Sequence, residues 1–269
     1  MKKKNIIKFT DSVWDHATSD TSSHTSFIKM DKFLIMVDTG MEPSTTKEIR
    51  EFAEKETGMK FKYVIITHHH GDHTFGTNVF KDCDIISTRS TKKILEQKVA
   101  GDYKDKNIIL PNVTFDVEYE IKDDFKTVKI IETHGHTQGS AFVYIPQESI
   151  LLTGDLLFAD MFPFAGDPSV NPYLWVDAFQ KMIDLKPNIV IPGHGHIGST
   201  AELIEGKKKI SEMINVIEQL YKQGVAKKEI LDSELLPDFT KNAYAGWLGR
   251  TIEAFYKIVE EKEKLLEQA

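Results

Sequence analysis

Eight of the ten histidines fall into three short groups: His68-His69-His70 with His73, then His134 and His136, then His194 and His196. Only His16 and His24 lie elsewhere. Neutral imidazole is the commonest side-chain metal ligand near neutral pH, so grouping of this kind points to a metal site. In His68-x-His70-x-Asp72-His73 the glycine at position 71 lets the chain turn. A turn there lets His68 and His70 face one ion, and Asp72 and His73 a second beside it. Three histidine nitrogens with an open fourth position is the arrangement of a catalytic rather than a structural zinc. The carboxylate of Asp155 has two oxygens, enough to bridge two ions about 3.5–4 Å apart. Glycines at 135, 154, 193 and 195 flank these candidates, where backbone must come close.

Rigid strand ends must carry these loops if they are to meet. Each histidine group follows a short apolar, β-branched run: Ile65-Ile66, Ile130-Ile131 and Val190-Ile191, while Leu151-Leu152 precedes Asp155. Further strands are expected at Lys32–Val37, Phe61–Thr67, Asp84–Thr88, Ile150–Leu152 and Asn188–Ile191, with alternating strands between Val113 and Ile145. Helices are expected from a Ser44 or Thr45 cap to about Thr57 with Gly58 as the stop, over Thr91–Gln97, and over Tyr173–Leu185. After about residue 200, Glu202–Gln223, Lys227–Leu235 and Gly246–Leu266 carry Glu, Lys, Leu and Ile at helical spacing. Interleaved strands and helices with a strand-rich middle imply α/β sheets covered by helices. The expected organisation is a catalytic domain over residues 1–200 and a helical C-terminal segment, 201–269, packed on it.

Composition narrows the function. The 269 residues are 41% hydrophobic and 28% charged, which suits a folded chain with a core and excludes general disorder. A net charge of −7 disfavours nucleic acid or an anionic membrane as the partner, leaving a small-molecule substrate. One cysteine, Cys83, excludes an internal disulfide. Met1-Lys2-Lys3-Lys4 imitates the start of a secretory signal, but only Ile6-Ile7 precedes Lys8, Asp11 and Asp15. A cytoplasmic location is therefore expected.

Thr67-His68-His69-His70-Gly71-Asp72-His73 resembles the THxHxDH signature of the metallo-β-lactamase-fold hydrolases. Four more segments resemble that family's motifs in the same order: Val37-Asp38-Thr39-Gly40, Gly135-His136-Thr137-Gln138-Gly139-Ser140, Thr153-Gly154-Asp155 and Pro192-Gly193-His194-Gly195. The resemblance spans about residues 5–200. It implies an αββα sandwich with two metal ions at one edge: His68, His70 and His136 on the first, Asp72, His73 and His194 on the second, Asp155 bridging. His69, His134 and His196 have no ligand role in the pattern. The implied cofactor is two zinc ions, with iron or manganese as alternatives for mixed nitrogen and oxygen donors. Asp72 is the candidate catalytic residue, moving the proton of the attacking water.

Three departures matter. Glyoxalase II-like members and persulfide dioxygenases usually carry Gly-Cys-Gly-Arg after the bridging Asp; here Leu156-Leu157-Phe158-Ala159 follows, which disfavours glutathione thioesters. Asp155 departs from the β-lactamases that place cysteine at the second metal. His134 stands where proline is frequent. The expected reaction is hydrolysis of an ester-like, lactone, thioester or amide bond. The alternatives are a mononuclear-iron oxidoreductase like the persulfide dioxygenases, a non-catalytic metal-binding protein, and a phosphodiesterase or nuclease, which lacks a basic strip here. Asp38 is expected beneath the ligands rather than on a metal, and Cys83 in a packing role. Met161, Phe162, Phe164, Tyr173 and Trp175 either wall a substrate pocket or pack a long loop. Tyr244, Trp247, Phe255 and Tyr256 are expected as core, with a homodimer face or part of the pocket as the alternatives.

Overall fold

The computed structural model describes residues 6–17, 22–243 and 245–268. Tyr244 lies outside them. Two twisted sheets face each other and helices cover both outer faces. In the first sheet, β1 (Ile6–Lys8), β2 (Val13–His16), β3 (Thr25–Lys29) and β4 (Leu34–Val37) run antiparallel. Parallel pairing then continues through β5 (Phe61–Ile65), β6 (Asp84–Thr88) and β7 (Val113–Phe115), giving seven strands in sequence order. The second sheet orders β12 (Ile189–Ile191), β11 (Ile150–Leu152), β10 (Ala141–Ile145), β9 (Thr127–Glu132) and β8 (Glu118–Lys122), with only β11 and β12 parallel. This is the expected αββα sandwich.

Strand period explains the layers. Along β4, Ile35 and Val37 enter the core between the sheets, with Ile65, Ile86, Val128, Val143, Leu152 and Ile191. Leu34 and Met36 point to the other face, where helix α1 (Pro43–Thr57) lays Ile49 and Ala53 on them. A strand buried on both faces reads as a continuous apolar run, which is why Leu34-Ile35-Met36-Val37 shows no alternation. Behind the second sheet, Phe142, Leu151 and Val190 pack against α4 (Pro172–Asp184), α5 (Thr200–Lys222) and α6 (Ala245–Glu267). Phe255 is wholly buried in that cluster and Tyr256 packs at its margin.

Three local expectations are corrected. Helix α1 begins without a side-chain cap: Glu42 is its N-cap and Pro43 its first residue, so the fixed proline φ starts the helix rather than Ser44 or Thr45. Gly58 stops it as expected, at φ 69°. Lys227–Leu235 is a 3-10 segment over Lys227–Asp232, followed by another at Asp238–Asn242. Helix α3 spans Arg89–Ala100, longer than its apolar periodicity indicated, because Thr88 caps it by accepting from the Thr91 backbone. Among the described residues no helix is long and apolar enough to cross a membrane.

Candidate metal centre

Four strand ends build one site. The chain leaves β5 through Thr67–His70 and closes a single helical turn, α2 (Gly71–Thr74), which carries Asp72 and His73. His136 follows β9, Asp155 follows β11 in a short 3-10 turn at Gly154–Leu156, and His194 follows β12. The seven residues expected as ligands therefore meet at one edge of the sandwich, four from the first sheet and three from the second.

They meet as two sets of donors. Donor atoms of His68, His70, His136 and Asp155 all lie within 4.8 Å of one another, and so do those of Asp72, His73 and His194. His136 Nε2 is 3.1 Å from His70 Nδ1. Asp155 Oδ2 is 3.6 Å from His68 Nε2 and 3.4 Å from His136 Nε2. The other oxygen, Oδ1, is 3.0 Å from His73 Nε2 and 3.4 Å from His194 Nε2. Asp72 Oδ2 lies 3.2 Å from His194 Nε2 and 3.6 Å from His73 Nε2. Tetrahedral ligands about 2.0–2.1 Å from a zinc ion stand about 3.3–3.4 Å apart, so these separations are close to those of donors that share one ion. Each oxygen of Asp155 faces a different set.

Hydrogen bonding leaves the inward atoms free for a cation. His68 Nε2, His73 Nε2 and Asp155 Oδ1 are buried and have no hydrogen-bond partner among the described residues. Buried polar atoms are almost always paired, so three convergent exceptions fit a metal-binding role. The outward atoms are held. Asp38 accepts from the Thr67 backbone at 2.8 Å and its hydroxyl at 2.7 Å, and from His73 Nδ1 at 2.8 Å. That bond fixes the proton on Nδ1 and turns Nε2 inward. Asp38 itself sits at φ 56°, beneath the ligands as expected.

Asp167 is the functional candidate that sequence reading missed. Its Oδ2 accepts from His69 Nε2 at 2.9 Å and from His70 Nε2 at 3.1 Å, and its Oδ1 accepts from Ser169 Oγ at 2.5 Å. His69, His70 and Asp167 themselves form a third compact donor group. His70 Nδ1 already faces His136, so Nε2 serves as the donor to Asp167. His69, which has no place in the family pattern, shares that acceptor.

Burial and charge divide the two sets electrically. Burial drives His68 well below its ordinary value, and His136 down to about 3. Burial also acts downward on His194, but the Asp155 and Asp72 carboxylates outweigh it and push the ring up to about 10. His73 is raised well above its usual range in the same way, against burial, by Asp155, Asp72 and Asp38. Burial works against ionisation of Asp155, yet His73, His194 and His68 hold it well below the normal carboxylate range. His68 and His136 thus present unprotonated nitrogens, whereas His73 and His194 hold protons that a cation would have to displace.

The aromatic loop after Asp155 packs. Trp175 is fully buried, donates from Nε1 to the Leu156 carbonyl at 2.9 Å and sets its ring 5.3 Å from His136. Met161, Phe162, Phe164 and Tyr173 pack at the margin of the helix-covered core. Phe164 bridges outward, 6.2 Å from His70 and 5.3 Å from Trp247 of α6. His134 has φ 60°, which a proline ring cannot adopt, and accepts from the Gly139 N–H at 3.0 Å. His196 is half exposed between Asp160 and Glu202. Cys83 packs beside the α1 cluster, and burial pushes its thiol up to about 11.

The chain is 31% identical over 193 residues to the beta-lactamase-like protein 2 homolog of Caenorhabditis elegans, a match covering 69% of this chain and 62% of that protein. It is 27% identical over 211 residues to a metallo-beta-lactamase type 2 of Bacillus cereus, covering 74% and 80%. A hydroxyacylglutathione hydrolase of Prochlorococcus marinus is 26% identical over 237 residues, covering 83% and 86%. Among solved structures, a metallo-beta-lactamase from Pontibacter korlensis superposes with a TM-score of 0.67 at 20% identity, covering 78% of this chain and 99% of that one. The family model of the metallo-beta-lactamase superfamily matches residues 19–194, a span containing all seven candidate ligands. By its ordered motifs, its layered fold and this match, the chain belongs to the metallo-beta-lactamase superfamily.

Proposed function

We propose that the chain is a hydrolase working at a dinuclear zinc centre on an ester-like, lactone, thioester or amide bond of a small molecule. The observation that carries the reading is Asp155, whose two oxygens face separate sets of nitrogen and oxygen donors. His68, His70 and His136 would hold one ion, Asp72, His73 and His194 the other, with Asp155 between them. When bound, a zinc pair supplies a water nucleophile ionised near neutral pH and polarises the scissile carbonyl oxygen.

The chain's own groups do the rest. Asp72 is partly exposed beside His194, so its carboxylate can accept the proton of the attacking water and return it to the leaving group. Buried Asp38 and Asp167 keep His73 and His70 in the tautomers that present Nδ1–H to one carboxylate and Nε2–H to the other. A recess of 240 Å³ opens beside the second donor set, lined by Asp72 and His194 with Ser23, Met41, Thr45 and Ile49. Its mixed apolar and hydroxyl walls suit a small, partly apolar acyl or alkyl group.

The test is elemental analysis of protein purified without added metal, followed by chromogenic lactone, thioester, β-lactam and phosphodiester substrates. Two zinc ions per chain and turnover of a carbonyl substrate, abolished by chelation and restored by zinc, are the expected results. Turnover surviving complete metal removal would refute the reading. One iron per chain with oxygen consumption on a persulfide would replace it with the oxidoreductase.

A further inference from the structure

His24 belongs to no metal-ligand motif, yet it grips the His194 loop on both sides. It precedes β3 in the seven-stranded sheet and is 8% exposed. Its backbone N–H donates to the Gly193 carbonyl at 2.9 Å, and its ring Nε2 donates to the Gly195 carbonyl at 2.8 Å. A carbonyl only accepts, so Nε2 carries its proton. Nδ1 lies 2.6 Å from Asp15 Oδ2 on β2, and the other oxygen of Asp15 accepts from Ser26 Oγ at 2.6 Å. The ring is therefore fixed at both nitrogens.

The opposite side of the loop is tied to the second sheet's own connection. The Gly193 N–H donates to the Leu157 carbonyl at 3.1 Å and the Ala159 N–H to the His194 carbonyl at 2.9 Å. The Phe158 ring stacks on His194 at 5.2 Å. Asp72 and His73 come from the first sheet and His194 from the second, so this donor set exists only if the two sheets hold register across the site. His24 is a first-sheet residue bonded to second-sheet backbone at the positions before and after His194. A buried charged pair is weak evidence for stability, because well-packed apolar residues commonly do as well. Its worth here is placement.

We propose that His24, braced by Asp15, is the positioning residue that sets His194 against Asp72 and Asp155. The proposal rests on the metal-centre reading above, and its test separates the two. Metal-free wild type, His194→Ala, His24→Ala and His24→Gln are titrated with zinc, and each equivalent's affinity is measured, with melting curves confirming the fold. Loss of an outer support of this kind typically weakens binding about 10–100-fold. The expected result is that His24→Ala weakens by about that factor the same equivalent that His194→Ala weakens, and spares the one that His194→Ala spares. Glutamine, whose amide can still donate to Gly195, recovers most of the loss. Wild-type affinity in His24→Ala, equal weakening of both equivalents, or a glutamine variant no better than alanine would overturn the proposal. The number of equivalents bound by wild type judges the dinuclear reading by itself; if it is one, His24 is judged on whether its variant follows His194→Ala at that site. Should His24→Ala fail to fold, Asp15→Asn, which keeps the side chain's size, carries the same comparison with the same two outcomes.

Discussion

Two histidines of the candidate centre, His73 and His70, are each aimed by a buried carboxylate. Asp38 turns His73, Asp167 turns His70, and both are buried carboxylates accepting from the nitrogen that faces away from the donors. Replacing Asp167 with Asn leaves one weaker acceptor for two imidazoles. Zinc affinity at the His68–His70–His136 set is expected to fall about 10–100-fold, read by competition with a chromogenic chelator, while His73 and its set are unaffected. Protons compete with metal at the same atoms, and the direction follows from the shifts. A zinc ion must displace a proton from His194, pushed up to about 10, but none from His136, pushed down to about 3. Affinity at the Asp72–His73–His194 set therefore rises with pH across the neutral range, and acidification from about pH 7.5 to 5.5 is expected to release that ion first. Stoichiometry measured after dialysis at each pH checks the order; simultaneous loss of both ions would contradict it.

Loops at strand ends tolerate little change where two of them touch. A Cβ on Gly193 would stand 2.1 Å from Asp155 Oδ1 and 2.6 Å from the Gly154 carbonyl carbon, so Gly193→Ala must displace the Asp155 carboxylate. Gly58, at positive φ unlike Gly193, has nothing within 4 Å of its Cβ position, so Gly58→Ala costs only the left-handed strain of about 1–2 kcal/mol. Gly193→Ala is expected to lose turnover and metal together, whereas Gly58→Ala lowers the melting temperature and keeps both; equal metal content in the two variants would refute the difference. The contrast also shows what the chain makes legible. Motif loops, strand runs and the Gly58 stop can be read directly, because each depends on neighbours within a few residues. Asp167 and His24 cannot. Asp167 sits in a non-periodic Gly166-Asp167-Pro168 turn whose partners are 97 and 98 residues away. His24 gains its role only because β2 and β3 pair and the two sheets then close on each other. The start of α1 departs from the Ser44 or Thr45 cap for the opposite, local reason: a proline at the first turn makes the side-chain cap dispensable.

At the scale of the whole molecule, the second sheet depends on the C-terminal helices. Leu203, Ile210, Met213, Ile217 and Phe255 pack in one cluster with Phe142, Leu151 and Trp175, whose ring backs His136. Burying one such side chain is worth about 1.5–3 kcal/mol, and a whole domain holds only about 5–15 kcal/mol. A chain ended at residue 200 is expected to lose its cooperative melting transition, checked by calorimetry; an intact transition would refute this dependence. The layered sandwich brings a first-sheet and a second-sheet donor together at each oxygen of one carboxylate: His68 and His136 at Oδ2, His73 and His194 at Oδ1. Anomalous scattering from crystals grown with zinc tests that most directly. The expected map shows two ions about 3.5–4 Å apart, one on each side of Asp155. A single ion, or two ions of which Asp155 touches only one, would contradict it.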